Sequence, residues 1–493
     1  MDIPAIPTLE DIRAAARIVE ASAVRTPVVP APWLDKQLGI RSFLKLENQQ
    51  VTSSFKDRGA AVKLSQLTAD ERARGVIAMP AGNHAQGVAY HANRLGIPAI
   101  IVMPAQTPFS KVERTRGHGA QVALHGRNIS DCAERARELI AEHGYVLIHP
   151  YDDPAIIAGQ GTIGLELLED LPELDAVVVP IGGGGLAAGI ALALKALKPE
   201  VRIFGVEAAL YPSMTEAING SPPSSGGETI AEGIAVKTPG ELTRRVITDL
   251  VEEIILVEEP QLEGAIHRLA EEQKLVVEGA GAAGVAALEN LAPRLAGATV
   301  ATIICGGNID SRVYASVLMR GLVRDGRLVR VRVEINDEPG VLARISGIIG
   351  ARGGNIIEIY HHRLFQDVPV KLAELDAVIE TRNADHVLEI LTALEDAGFK
   401  SRLLGRTEVG ADGLVAGQGR VSATMVKQRR RVRDRLRAKR APDNDHMIAG
   451  VVPRLQDAIR RRDHAVQDWR AGFPRNPGGP VETVSLEHRE MRG

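Results

Sequence analysis

Ala176-Val177-Val178-Val179-Pro180-Ile181-Gly182-Gly183-Gly184-Gly185-Leu186 is the stretch from which the fold can be read. Ala176 to Val179 are apolar with no alternating polar residue, the pattern of a strand covered on both faces, and such strands belong to parallel α/β sheets. Four glycines then stand between that strand and a helical pattern from Ala187 to Leu197. Free backbone N–H groups, no Cβ in the way and the positive end of a helix make such a turn a phosphate cradle. The same grammar recurs outward in both directions. Gly75-Val-Ile-Ala-Met79 ends at Pro80-Ala81-Gly82, Ala99-Ile-Ile-Val-Met103 at Pro104, and Thr299-Val-Ala-Thr-Ile-Ile304 at Cys305-Gly306-Gly307. Helical patterns lie between them, such as Cys132 to His143 and Pro260 to Lys274. The expected fold class is α/β, with parallel sheets and helices on both faces.

The chain has 493 residues, too many for one core, so two to four domains are expected. It is 45% hydrophobic and 25% charged with net charge −3, the composition of a globular protein. Only 3% of residues are aromatic, which argues against a base-stacking nucleic-acid surface. The two cysteines, Cys132 and Cys305, give no disulfide framework and fit a reducing cytoplasm. Asp2, Glu10 and Asp11 interrupt the first residues, so no secretory signal is read, and no apolar run is long enough for a membrane span.

Near Gly326 the pattern changes. Leu328-Val-Arg-Val-Arg-Val-Glu-Ile335 alternates apolar and polar residues, as a half-exposed strand does. A turn at Asn336-Asp-Glu-Pro-Gly340 leads to a helix over Val341 to Ala351, a strand over Ile356 to His361, an alternating strand over Glu374 to Glu380 and a helix from Ala384 to a capping glycine, Gly398. That order predicts a small α+β domain with an antiparallel sheet over 328–408. From about residue 412 the chain differs again. Residues 416–493 carry eighteen Lys/Arg against nine Asp/Glu, and Lys427 to Arg440 alone has nine basic residues. A solvated, disordered basic tail is expected there.

Four loops hold the candidate chemistry. In Ser54-Phe55-Lys56-Asp57-Arg58-Gly59-Ala60, a lysine just inside a helix start is disfavoured as a cation, which suits an amine kept neutral for imine chemistry; a solvated surface lysine is the alternative. Ala81-Gly82-Asn83-His84-Ala85-Gln86-Gly87 is a strand-to-helix turn whose N–H groups can hold an anion. Gly182 to Leu186 is the cradle already described. Cys305-Gly306-Gly307-Asn308, taken alone, reads first as a buried structural thiol before a turn. Gly183-x-Gly185-x-x-Ala188 with Glu207 beyond it also mimics a dinucleotide fingerprint, but that reading leaves Lys56, Asn83 and Cys305 without a task.

In this order and spacing the four loops resemble the fold-type II pyridoxal-phosphate enzymes, the tryptophan synthase β-like group, and within it the threonine/serine dehydratases. Residues 328–408 resemble an ACT domain, a ferredoxin-like regulatory module. The resemblance implies a catalytic domain over 1–322, with a small subdomain over about 50–150 inserted in a larger one, and pyridoxal 5′-phosphate as cofactor. Lys56 would hold it as a Schiff base, Phe55 would pack against its ring, and Asn83 would bond its hydroxyl oxygen. Gly182, Gly183, Gly184, Gly185 and Leu186 would bind its phosphate, and Cys305 would face its ring nitrogen. Ser54, Ala81, Gly82 and His84 lie where these enzymes hold the substrate carboxylate. Glu207 aligns with an acid that binds a cation in some relatives, which would make a monovalent cation a further ligand. Ser213 stands where the usual second carboxylate would be, however, and an ordinary strand-end acid is the preferred reading.

Neighbouring activities compete. Asp57 matches the spelling of threonine synthases, whose asparagine loop reads Gly-Asn-Thr rather than Gly82-Asn83-His84. Serine racemases carry a second acid–base serine at the position of Ala81, and Ala81 has no proton to give. The expected activity is therefore deamination of L-threonine to 2-oxobutanoate and ammonia, and of L-serine to pyruvate. The ACT-like segment implies an amino-acid effector, isoleucine first, at Asn336, Asp337, Pro339, Gly340, Val341 and Leu342, in a cytoplasmic homo-oligomer with no nucleic-acid or membrane partner.

Overall fold

The computed structural model describes residues 4–79, 82–362 and 372–405, in two compact units, Met1–Leu328 and Val329–Gly493. The first unit holds ten strands: β1 (Val28–Pro30), β2 (Arg41–Lys45), β3 (Val76–Ala78), β4 (Ala99–Met103), β5 (Gln121–Leu124), β6 (Val146–Leu147), β7 (Ala176–Pro180), β8 (Arg202–Ala208), β9 (Glu253–Val257) and β10 (Thr299–Ile303). The quoted stretch becomes β7, in which Ala176, Val177, Val178 and Val179 have no exposed surface. Burying each valine contributes about 1.5–3 kcal/mol, so this strand fixes its place in the core by transfer free energy alone.

A six-stranded sheet runs β1-β2-β10-β7-β8-β9. From β2 to β9 all neighbours are parallel, whereas β1 pairs antiparallel with β2. The core of the sheet is parallel as expected, and the antiparallel pair is confined to its edge. β1 is a short, half-exposed edge strand, so no crossover helix has to cover it on both faces. A second sheet, β5-β4-β3-β6, is parallel and lies entirely between Val76 and Leu147.

The strand order decides what meets what. β2, β10 and β7 are neighbours, and all three end at the same edge. Their carboxyl ends lead to the Lys56 run, the Cys305 loop and the glycine loop, whereas the Asn83 loop follows β3 in the other sheet. Ligands of parallel α/β sheets sit at such ends because the helices that follow point their N-termini there.

The second unit contains β11 (Leu328–Asn336), β12 (Asn355–His362), β13 (Leu372–Glu380) and β14 (Lys400–Leu404), with helices Val341–Ala351 and Ala384–Asp396. Its sheet order is β12-β13-β11-β14; β12 pairs antiparallel with β13, and β11 with β14. The alternation of β11 puts Val331, Val333 and Ile335 into a core with Ile345, Leu375, Ile379 and Leu391. Gly398, at φ 87°, takes the left-handed turn that ends the second helix. The basic tail expected beyond 412 lies outside the described residues.

Candidate active site

Lys56 is the first residue of the helix Lys56–Ser65. Its Nζ donates to the Pro150 carbonyl at 2.7 Å and sits 5.0 Å from the centre of the Phe55 ring. Burial pushes the amine down from 10.5 to about 8, against the pull of Cys305 and Glu278. A helix N-terminus disfavours the cation as well. At neutral pH about a tenth of such an amine is uncharged, some 300-fold more than in an ordinary lysine. Capture of an aldehyde cofactor by the stripped enzyme should therefore speed up as pH rises and level off above about 8. Stopped-flow absorbance checks this; acceleration continuing to pH 10 would contradict the shifted amine.

The turn before Lys56 is pinned to the Cys305 loop. Phe55 N–H donates to the Cys305 carbonyl at 3.2 Å, Gly307 N–H donates to the Ser53 carbonyl at 2.9 Å, and Ser54 bridges Gly306. Ser53 is held at φ 59°, a conformation that costs a serine about 1 kcal/mol and persists only where its neighbours impose it. Ser54 is fully buried, and its Oγ accepts from Lys56 N–H at 3.3 Å. The Cys305 thiol is buried, and burial pushes it well above 9.0, so it stays protonated.

Next to it, the N–H groups of Gly182 to Leu186 donate to no protein acceptor among the described residues. Glycine is required here for space: a Cβ on Gly183 would lie 2.2 Å from the Tyr151 ring, and one on Gly184 would lie 2.7 Å from Met214. Thr243 Oγ1 fixes the loop from behind by donating to the Gly183 carbonyl at 2.7 Å. Gly183→Ala should weaken cofactor retention about tenfold, because a methyl there must displace Tyr151. Dialysis followed by visible absorbance measures this; full occupancy would argue against the cradle.

Asn83 opens the helix Asn83–Arg94, capped by Gly82 at φ 130°, where a side chain would be strained. Asn83 Nδ2 donates to Glu278 Oε1 at 2.7 Å, and its Oδ1 accepts from Asn308 Nδ2 at 2.9 Å. Burial raises Glu278 to about 7, although Asn83 and the Asn308 backbone N–H favour its charged form. His84 Nε2 lies 2.8 Å from the Ile148 carbonyl, so that nitrogen carries the hydrogen. Burial depresses His84 to about 3, so the ring is neutral. Any carboxylate at this turn would meet the N-terminus of the helix Asn83–Arg94 rather than an imidazolium.

Thus the structure brings Ser54, Phe55, Lys56, Gly82, Asn83, His84, Cys305 and Gly182 to Leu186 around one edge of the six-stranded sheet. Ala81 lies outside the described residues. Glu207 is placed otherwise than expected for a cation ligand: its carboxylate accepts from Met214 N–H, Thr215 N–H and Thr215 Oγ1 at 2.7–3.0 Å and so caps the helix Ser213–Asn219. The group that gathers three ligand types among the described residues is His267, Glu271 and Asp325. There Arg327 already pairs with Glu271, and the two nitrogens of His267 face different carboxylates at 3.7 and 3.8 Å. Asn336 to Leu342 form the end of β11, a turn and the start of the helix Val341–Ala351 in the second unit, with Gly340 at φ 88°.

Sequence reasoning missed Glu278, Tyr151 and the Pro150 carbonyl. The small-residue run Gly279-Ala-Gly-Ala-Ala-Gly284 was the available signal for Glu278. A Cβ on Gly281 would lie 2.4 Å from the Gly306 carbonyl, so this helix must pack directly on the Cys305 loop.

The residues fit pyridoxal phosphate: an amine of lowered basicity, unpartnered N–H donors in a glycine cradle, and a neutral thiol. Comparisons with known proteins agree. A family model described as pyridoxal-phosphate dependent enzyme matches residues 19–306, and an ACT domain model matches 329–396. An L-threonine ammonia-lyase of Thermotoga maritima is 43% identical over 400 residues, covering 81% of this chain and 100% of that protein. The processed form of threonine deaminase isoform 2 from Solanum lycopersicum superposes with TM-score 0.60 at 34% identity, over 64% of this chain and 90% of that one. Maize serine racemase gives TM-score 0.60 at 34% identity, over 64% and 100%.

Proposed function

The chain belongs to the pyridoxal-phosphate dependent enzymes and carries an ACT domain, and on that premise we propose that it deaminates L-threonine to 2-oxobutanoate and ammonia, with L-serine as a second substrate yielding pyruvate. The observation that carries this reading is the 43% identity to an L-threonine ammonia-lyase over that protein's whole length.

Gly182 to Leu186 would hold the cofactor's phosphate, Asn83 its hydroxyl oxygen, Cys305 its ring nitrogen and Lys56 its aldehyde carbon. Bound there, the cofactor supplies an electron sink conjugated to the substrate α-carbon. Lys56 Nζ, which donates to the Pro150 carbonyl, would serve as the base for the α-proton. Cys305, kept protonated by burial, would offer the ring nitrogen only a weak hydrogen bond and no charge. The N-terminus of the helix Asn83–Arg94 would orient the carboxylate. Because residue 81 is alanine, the sequence supplies no second acid at the position where racemases have serine, so elimination is favoured over racemisation.

The ACT domain is read as an amino-acid sensor, with Asn336 to Leu342 as the candidate contact and isoleucine as first ligand. This would place the enzyme at the entry to isoleucine synthesis. The protein is taken to act as a cytoplasmic homo-oligomer; among the described residues no helix is long and apolar enough to cross a membrane. A coupled assay for the two keto acids, run with L-threonine and L-serine while titrating isoleucine and valine, tests the whole reading. Threonine should be the better substrate, and isoleucine should lower its turnover. Formation of D-serine in place of pyruvate would favour the racemase reading, and flat titrations would remove the effector.

A further inference from the structure

We propose that Arg114 is a positioning residue that fixes which end of the Asn83 carboxamide is offered to the cofactor. The inference rests on the reading of Asn83 as a cofactor-binding residue. Arg114 lies on the helix Phe109–Gly117, which precedes β5 of the four-stranded sheet. Its Nη1 reaches Asn308 Oδ1, on the loop after β10, at 3.2 Å.

A guanidinium only donates, so Asn308 must turn its oxygen toward Arg114. Asn308 Nδ2 then faces the other way and donates to the Thr52 carbonyl at 2.8 Å and to Asn83 Oδ1 at 2.9 Å. With its oxygen occupied, Asn83 directs Nδ2 to Glu278 Oε1 at 2.7 Å. Glu278 Oε1 accepts from that Nδ2 and so closes the chain from the far end. Reversing either amide would set N–H against N–H or oxygen against oxygen. Among the described residues the second N–H of Asn83 has no protein acceptor, and it is the donor left for a cofactor oxygen.

One turn before Arg114, Lys111 pairs with Glu232 at 2.5 Å, so two contacts seat this helix against the six-stranded part of the unit. Glu232 and Lys111 both act electrostatically on Glu278. The orientation of Asn83 is thereby tied to the seating of a helix on the other side of the site. Thr52 provides a second lock on Asn308, and Arg114 is exposed, so the contribution of Arg114 is partial.

The test uses full-length holoenzyme and four variants, Arg114→Ala, Arg114→Lys, Asn308→Ala and the double variant Arg114→Ala with Asn308→Ala. Cofactor affinity and the position of its visible band are read on dilution. Arg114→Ala should weaken retention about threefold, the effect expected of one exposed charge-assisted contact, and shift the band. Arg114→Lys, also donor-only, should keep both near parent values. In the Asn308→Ala background, loss of Arg114 should have no further effect. Should Asn308→Ala not fold, Asn308→Asp replaces it, since its carboxylate accepts from Arg114 yet cannot donate to Asn83. Unchanged affinity and band in Arg114→Ala overturn the inference, as does an equal loss with and without Asn308. A parent enzyme with no visible cofactor band would instead overturn the functional reading beneath it.

Discussion

Lys56→Ala is expected to abolish turnover of L-threonine, by a factor of about a thousand or more, and to remove the visible cofactor band with it. Two tasks fall on one atom. On the proposed reading the same Nζ would bind the cofactor covalently and act as the base at the α-carbon, with alanine at residue 81 offering no second acid–base group. Burial is what fits the amine for both, by holding it near 8. Steady-state keto-acid assays with an absorbance spectrum of the purified variant provide the check. The two losses must come together. A variant that keeps the band and loses turnover would mean another residue anchors the cofactor; one that keeps turnover would sink the assignment. Since Lys56 is partly buried at a helix start, alanine should cost the fold little, and an unchanged thermal midpoint would separate chemistry from collapse.

Arg58→Met is expected to destabilise the first unit by about 3–5 kcal/mol, the range for removing one partner of a buried ionic network. Two residues beyond Lys56, Arg58 has no exposed surface. Its guanidinium forks onto Glu47 at 2.8–2.9 Å and onto Glu166 at 2.6–2.8 Å, and it also reaches Thr162. Lys45, equally buried, bonds Glu166 at 2.5 Å and the Thr26 carbonyl at 2.7 Å. Two cations and two carboxylates make a neutral group that ties β2 and the Lys56 helix to the helix Pro154–Asp170. Methionine keeps much of the volume and leaves two carboxylates facing one lysine. Urea denaturation midpoints measure the loss, and a change under about 0.5 kcal/mol would contradict the network's importance.

The pH dependence of that difference has a definite sign. Burial alone would raise the Glu166 carboxyl, but the hydrogen bonds and charges of Arg58 and Lys45 outweigh it and hold it below 4.5. A depressed carboxylate stabilises the fold above its unfolded value and stops doing so as pH falls through its folded one. The gap between parent and Arg58→Met should therefore narrow in acid below about 4.5.

Much of the molecule was legible in the chain itself. Ala176 to Gly185 announces a doubly covered strand running into a phosphate-binding turn because transfer free energy and glycine geometry are local properties, and β7 forms there. The alternation from Leu328 and the helix Val341–Ala351 were readable for the same reason. A run such as Ser54 to Gly59, by contrast, barely distinguishes a cofactor lysine from a surface one. Nothing local in the sequence marks Arg58, two residues beyond Lys56, as wholly buried. Glu207 read first as an ordinary strand-end acid, and that it caps a helix was hidden, because the donors that satisfy it come from a turn whose folding back the sequence does not reveal.

What the sequence by itself determined was the buried strands β3, β4, β7 and β10, the glycine turn after β7 and the change to a second kind of domain near residue 326, all consequences of short-range pattern. What only the tertiary structure decided was adjacency. Because β10 lies between β2 and β7, Cys305 is carried against the Lys56 turn and beside the cradle. Because the glycine-rich helix Gly279–Leu291 packs against the Cys305 loop, Glu278 reaches Asn83. Strand order is set by the burial of whole faces, and the polarity of an amide chain by its distant ends; neither is a property of any single stretch of residues.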